Sequence, residues 1–387
     1  MHIQIRSHDG ATGWFWGRAA VWGFAAVLLG GIPTSAEVTG VKVAKSNHWV
    51  KIHQQAKSDS VWFLRQAHGG SCFDSKRGRV VLFGSNTHGR DWENSPLVFD
   101  PVAVAWTRVY PFDPPQTYAV TAHGIPVAGA GGDHPWATHT FGAVLYDPAR
   151  DEMVVACDPE HMVPGRFTNA LKDLWPKVRK FPTWTFDLKA SRWRALECEP
   201  VHFFPYCAAF DTHRNVVLGH RSDGIYELSG EPRQWKRLTN RVFLDGWHTN
   251  ASYDAKEKAL VVFGHNENRN DVEAFWPATG EHRLMPTPGP RPPKDQHAPM
   301  AFVPEIGRTV VVVDRAVETA ERAPKAVAET WLYDLAADRW TQLPEATLPF
   351  GCGMNYNMVY DSHHKCLLLV TGDYGQPTAV WAMRVQL

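Results

Sequence analysis

The sequence predicts an all-β ring of four-stranded sheets, a six-bladed β-propeller, and three observations lead there. One unit recurs six times after residue 48, each unit pairs an aromatic residue with an acid or its remnant ahead of a polar turn, and the runs after those turns are short, aliphatic and β-branched. Short strands repeated with evenly spaced turns describe radial blades that bury their faces against their neighbours.

In chain order, blade 1 holds Phe73-Asp74 before Val80-Val81-Leu82-Phe83-Gly84, then Phe99-Asp100 with Trp106 six residues after the acid. Blade 2 holds Tyr146-Asp147 before Met153-Val154-Val155, then Phe186-Asp187 with Trp193. Blade 3 holds Phe210-Asp211 before Val216-Val217-Leu218-Gly219 and a looser second half, Tyr226 with Trp235 and Leu238. Blade 4 holds Tyr253-Asp254 before Leu260-Val261-Val262-Phe263-Gly264, then Phe275 with His282 and Leu284. In blade 5 Phe302-Val303 has lost its acid ahead of Val310 to Val313, and Tyr333-Asp334 with Trp340 follows. Blade 6 supplies Tyr360-Asp361, the run Leu367-Leu368-Leu369-Val370 and a third strand around Val380-Trp381-Ala382-Met383. Its fourth strand is expected from the other end of the chain, His48-Trp49-Val50-Lys51-Ile52, so that pairing of the termini leaves no open edge. The stretch most open to hiding a seventh, divergent blade is Tyr110 to Thr140.

Over residues 48 to 387 these repeats resemble the kelch family. Kelch blades usually carry two glycines after the second strand; this chain keeps one and writes Ser85, His220, His265 or Asp373 at the second place.

Forty basic and forty acidic residues cancel, which argues against a general nucleic-acid footprint. Arg18 precedes the apolar stretch Ala19 to Ile32, with Thr34-Ser35-Ala36 behind it; this is short for a membrane span and reads as a signal peptide over residues 1–36, followed by the propeller over 37–387. The expected location is secreted or periplasmic. Cys72, Cys207, Cys157 and Cys366 fall in or beside strands and read as buried apolar residues, while Cys198 and Cys207 flank one interblade loop as the best candidate bridge.

In a four-stranded antiparallel blade, the loops between blades and the second-to-third strand loops share one face. Eleven of the nineteen histidines fall there: His68, His88, His123, His134, His139, His161, His202, His220, His248, His265 and His297. His68, His248 and His297 each stand six residues before the acid position, as Asn355 does in blade 6, so they should ring the mouth of the channel. Rigid scaffolds carry function on such loops. Candidate substrate-binding residues are His68, His134, His161, His220, Asn355 and Trp175; His248, His265 and His297, from neighbouring blades, are candidate ligands for zinc, manganese or calcium. The segment Gly129-Ala130-Gly131-Gly132-Asp133-His134 suits close backbone approach to a ligand. The insertion between Cys157 and Trp184, with Arg166, Lys172, Lys177, Arg179, Lys180 and Trp175, suits an anionic polymer.

Among extracellular kelch enzymes, the copper radical oxidases need a Tyr-His ligand pair, and this chain has no Tyr followed directly by His. No specific motif of the sialic acid mutarotases is found. The order and spacing of His139, Tyr206 and Arg221 resemble the propeller polysaccharide lyases of the ulvan lyase type. That resemblance implies β-elimination on a uronic-acid-containing polysaccharide, with His139 and Tyr206 as the proton-transfer pair and Arg221 neutralising the uronate carboxylate, a role a planar guanidinium fork fills well. The elimination itself requires no cofactor. A non-catalytic glycan- or protein-binding propeller, or a mutarotase or epimerase, is the alternative reading.

Overall fold

The computed structural model describes residues 40–56, 58–59, 68–85, 92–156, 171–196, 207–246, 248–265, 269–294, 298–317, 325–351, 356–372 and 378–387. The chain separates into two units, Met1–Glu37 and Val38–Leu387, and the described residues all belong to the second.

Six blades form the ring, as the repeats predict. Blade 1 comprises Gly70–Asp74, Arg79–Phe83, Leu97–Asp100 and Ala105–Arg108; blade 2 comprises Val144–Asp147, Glu152–Val155, Trp184–Asp187 and Arg192–Ala195. Blade 3 comprises Ala208–Asp211, Val216–Arg221, Gly224–Ser229 and Gln234–Thr239; blade 4 comprises Asn250–Asp254, Ala259–Phe263, Val272–Trp276 and Glu281–Met285. Blade 5 comprises Met300–Val303, Arg308–Val317, Lys325–Asp334 and Arg339–Leu348. Blade 6 has Asn357–Asp361, Cys366–Thr371 and Ala379–Arg384, closed by Val50–Gln54 from the N-terminal side. Each inner strand packs on the next, and blade 6 returns to blade 1. Between Tyr110 and Thr140 there is no seventh blade but a two-stranded ribbon, Ala119–Val120 with Pro126–Val127.

The acid of each first-half pair caps the inner hairpin. Asp74, Asp147, Asp211, Asp254 and Asp361 each accept the backbone N–H groups two and three residues on, at 2.9 to 3.2 Å. Four positions after the acid the backbone turns left-handed in every blade: Gly78, Asp151, Asn215, Lys258, Gly307 and Lys365. Blade 5, which has Val303 in place of the acid, closes with backbone alone, Gly307 N to Val303 O at 3.0 Å. The recurrent carboxylates are therefore turn-forming groups.

The second-half pattern is a cross-strand aromatic pair. Phe99 faces Trp106, Phe186 faces Trp193 and Tyr333 faces Trp340, with ring centroids 5.1, 4.8 and 4.8 Å apart. In blade 3, Trp235 pairs with Leu228 rather than Tyr226. Phe275 faces His282 in blade 4, edge to face at 5.4 Å.

The N-terminal segment 41–54, which includes the closing strand, binds three blades. Val50 pairs with Ala382 and Gln54 with Ala379; Trp49 Nε1 donates to Thr330 Oγ1 of blade 5 at 3.0 Å, and Val41 N donates to Pro101 O of blade 1 at 3.1 Å. Cys72, Cys207 and Cys366 are buried thiols, and burial pushes Cys366 up to about 12. The bridge expected between Cys198 and Cys207 falls on Cys198, which lies outside the described residues.

Candidate functional site

The face where the inner strands begin, the upper face, carries its described histidines at three places. The first is the mouth of the channel between blades 1 and 2. His68 and His139 lie ring against ring, centroids 4.4 Å apart, and Phe141 closes on both at 4.8 and 5.6 Å. His139 is 0% exposed and His68 is 8%. The chain around His139 is stitched to blade 1: Ser85 N donates to Thr138 O, Thr140 Oγ1 donates to Phe83 O, and Phe141 N donates to His68 O, all at 2.8 or 2.9 Å. The His68 position is left-handed, as are its counterparts Phe141 and His248. Histidine tolerates that conformation better than most side chains, which gives His68 and His248 a backbone reason to stand there. His297 and Asn355, at the same repeat position, lie outside the described residues, as do Tyr206 and His161.

The second place is the long loop from blade 1 to blade 2. It folds around Trp136, fully buried, whose indole N–H donates to Val127 O at 2.8 Å, with Tyr118 packed on it at 5.7 Å. Asp113 and Asn94 interlock beneath it: Asn94 Nδ2 donates to Asp113 Oδ2 at 2.8 Å, and Asp113 N donates to Asn94 Oδ1 at 2.9 Å. His134 completes the set, with Nδ1 2.7 Å from the same Asp113 Oδ2 and its ring stacked on Tyr110 at 4.2 Å. Its side chain is 24% exposed.

The basic insertion of blade 2 is joined to this loop. Arg179 N and Lys180 N both donate to Gly124 O, at 2.8 and 3.0 Å, and Leu171 and Val178 share a core with Trp136. Only glycine fits at 124, because a Cβ there would lie 2.5 Å from Arg179 Cβ. Trp175 packs half-buried on that core, 6.0 Å from Phe181, while Lys172, Lys177, Arg179 and Lys180 are exposed.

The third place lies between blades 3 and 4. His220, expected to meet substrate, has a side chain 1% exposed, with Nε2 3.2 Å from Glu273 Oε1. His282 Nε2 reaches the same oxygen at 2.6 Å, and Glu273 Oε2 accepts Phe243 N and Leu244 N at 3.0 and 2.6 Å. Burial pushes the Glu273 carboxyl up, but the His220 charge and these hydrogen bonds more than offset it and hold the group well below its ordinary value. Arg221, the next residue, turns the other way and is partly exposed; its Nε lies 3.3 Å from Asp223 Oδ1, and among the described residues it has no other charged partner. His265 is buried with Nε2 3.8 Å from Asp245 Oδ1, and His248 is half-buried. Among the described residues no three His, Cys, Asp or Glu side chains form a group suited to a metal ion.

All six inner strands line an axial cavity of about 460 Å³. Phe73, Tyr146, Phe210, Tyr253, Phe302 and Tyr360 alternate around it, one per blade. The tyrosine hydroxyls are occupied at the turns, Tyr146 with Asp151 at 3.0 Å and Tyr253 with His213 at 3.2 Å.

Sequence reasoning missed Asn94, Asp113, Glu273 and His282. Glu273 and His282 do leave a signal, since Glu273 stands where the other blades write Leu97, Trp184, Tyr226 and Trp331, and His282 stands where they write tryptophan. Nothing in the pattern marks Asp113. No helix among the described residues is long and apolar enough to cross a membrane.

No family model matches the chain, and no curated protein matches it. Similar solved structures include hydrazine synthase of Kuenenia stuttgartiensis, 14% identical over 81% of this chain and 76% of that one, TM-score 0.47. A protein of unknown function from Bacteroides thetaiotaomicron is 9% identical over 90% and 75%, TM-score 0.48. TolB from Acinetobacter baumannii is 12% identical over 79% and 63%, TM-score 0.40.

Proposed function

We propose that the protein is an exported kelch-type propeller that binds a uronic-acid-containing polysaccharide on its upper face and cleaves it by β-elimination. The observation that supports this reading most is the union of two loops: exposed Lys172, Lys177, Arg179 and Lys180 are fixed, through Gly124 and a shared core, to the loop that presents His134. A cationic surface fixed beside an imidazole suits a polyanion whose reaction begins with loss of a proton. Arg221 adds the remaining requirement on the same face. Removing a proton alpha to a carboxylate moves charge into that carboxylate, and a guanidinium fork stabilises it as it arrives. The leader over residues 1–36 and the roles of His139 and Tyr206 belong to the same proposal; because His139 is fully enclosed, a part for it in proton transfer requires the ring to be uncovered. Complete burial of His139 is also the observation that favours a non-catalytic glycan-binding module.

The test is to incubate protein spanning residues 37–387 with ulvan, glucuronan, pectin, alginate and glycosaminoglycans while following the ultraviolet absorbance of unsaturated uronyl ends. Cleavage of at least one polymer is expected. Arg221→Lys should keep the melting temperature and lose about 100-fold or more in turnover, as the point charge replaces the fork. Binding without unsaturated product from any polymer would select the binding module.

A further inference from the structure

We infer that Asp113 and His134 form a proton-transfer pair, with His134 Nε2 the atom that takes the proton and Asp113 the positioning residue. The substrate side of this inference rests on the eliminative reading; the geometry does not.

Asp113 Oδ2 receives two groups, Asn94 Nδ2 at 2.8 Å and His134 Nδ1 at 2.7 Å. A carboxylate only accepts hydrogen bonds, so the imidazole nitrogen beside it is the one that carries the hydrogen, and in the neutral ring Nε2 keeps the lone pair. Asp113 is itself fixed from two sides, by Asn94 through its backbone N–H and its side chain, while Asn94 Nδ2 also donates to Pro135 O at 2.9 Å. The imidazole is held along its plane as well. Tyr110 stacks on it with an interplanar angle of 23°, and the Tyr110 hydroxyl is tied to Asn94 O at 2.5 Å and receives Trp193 Nε1 at 2.7 Å. The backbone of His134 pairs with Ala128, N to O at 3.1 Å and O to N at 2.8 Å. Gly129 is left-handed, and a Cβ on it would lie 3.0 Å from His134 Nδ1 and 3.4 Å from Asp113 Oδ1, so the glycine makes room for the pair itself. At the outer nitrogen the nearest acid among the described residues is Asp133 Oδ1, 3.9 Å away and beyond hydrogen-bond reach. An imidazole fixed at Nδ1 by a buried acid, on a side chain 24% exposed, is the arrangement general bases use.

In the reaction, His134 Nε2, in place of the enclosed His139, takes the proton alpha to the uronate carboxylate. The C–H electron pair becomes the new C=C bond, the bond from the β-carbon to the glycosidic oxygen breaks with its electrons on that oxygen, and the oxygen is protonated by a phenol or by water. The products are an unsaturated uronyl end and a new hydroxyl end. The imidazolium rests against Asp113 until its proton leaves to solvent.

The experiment uses protein spanning residues 37–387, with Asp113→Asn and His134→Asn. Long-range 1H–15N spectra of the imidazoles above pH 8 report the tautomer of His134, and diethyl pyrocarbonate followed by peptide mass spectrometry reports the reactivity of Nε2. The expected result is hydrogen on Nδ1 in the parent, a shifted tautomer balance and several-fold slower modification in Asp113→Asn, and turnover lowered about 10²–10⁴-fold in His134→Asn at unchanged melting temperature. Hydrogen on Nε2 in the parent, or equal modification rates in parent and Asp113→Asn, would overturn the pair. If the parent cleaves no uronate polymer, the eliminative reading fails, and the tautomer and modification rates alone decide whether the pair stands. If the parent cleaves and His134→Asn cleaves equally fast, His134 is not the base.

Discussion

On the lower face five inner hairpins are capped by the same aspartate and all six turn left-handed at the same position; on the upper face the long loops of blades 1 and 2 and the ties of blades 3 and 4 share no common plan. The difference reflects what each face must do. A lower turn only has to reverse two strands, and one backbone solution serves every blade. Upper ties differ from blade to blade: Asp113 holds Asn94 and His134 across two loops, whereas Glu273 gathers His220, His282 and the Phe243 and Leu244 backbone across two blades. Even the repeated turn varies in charge. Three residues after the acid, Arg77, Arg150, Arg214 and His364 answer it in four blades, whereas blade 4 writes Glu257. Burial pushes Asp211 up, but Arg214, Tyr253 and the turn amides hold it below its ordinary value; in Asp254 burial prevails and the carboxyl is raised.

The largest test of this contrast removes what both faces depend on. Deleting residues 40–55 takes away the fourth strand of blade 6 and its ties to blades 5 and 1, and loss of soluble, cooperatively melting protein is expected in calorimetry. An unchanged transition would show that closure is dispensable. Next, Glu273→Gln breaks a buried carboxylate that ties blades 3 and 4, and about 3–5 kcal/mol of stability should be lost in urea titration at pH 7. Because the folded value of Glu273 is depressed, its contribution is complete above its ordinary 4.5 and declines as pH falls through the folded value, so parent and variant should converge in acid.

A lower cap should matter less. Asp361→Ala leaves the His363 and His364 amides without their acceptor, at about 1–3 kcal/mol, read as a lowered urea midpoint at unchanged slope. Smaller still, Glu257→Arg gives blade 4 the arginine that blades 1, 2 and 3 have and should raise stability at neutral pH by about 0.2–1 kcal/mol. The raised Asp254 value penalises its charged form in the parent, so this gain should vanish once pH falls far enough to protonate Asp254. A gain that persists there would mean that Glu257 acts through something other than Asp254.

The blades were legible in the sequence because turn chemistry and strand alternation are local. Asp-capped hairpins and the aromatic pair six residues beyond the acid can be read a few residues at a time, and so could the closing strand, since Trp49 to Ile52 lacks partners of its own. The site was legible only in part. His134 and the basic insertion stood out by composition, but Asp113 gives no local sign of its partner, because Asn94 and His134 reach it across loops that bear no repeat. His220 misled for the opposite reason: it falls at the expected loop position, yet an acid from the neighbouring blade draws it inward.

Closure by the N-terminal strand also orders events in time. Asn47 and Gln386 bond across 339 residues of sequence, so the strand made first waits for the strand made last. Until Ala379–Arg384 has been made, blade 6 lacks the strand that receives Val50–Gln54, and the ring seals by contacts of very long sequence separation, the kind that form slowest. A circular permutant of residues 40–387, opened at a lower hairpin and with Leu387 linked to Gly40, would keep these strand pairings while making the closing one local, and should refold faster.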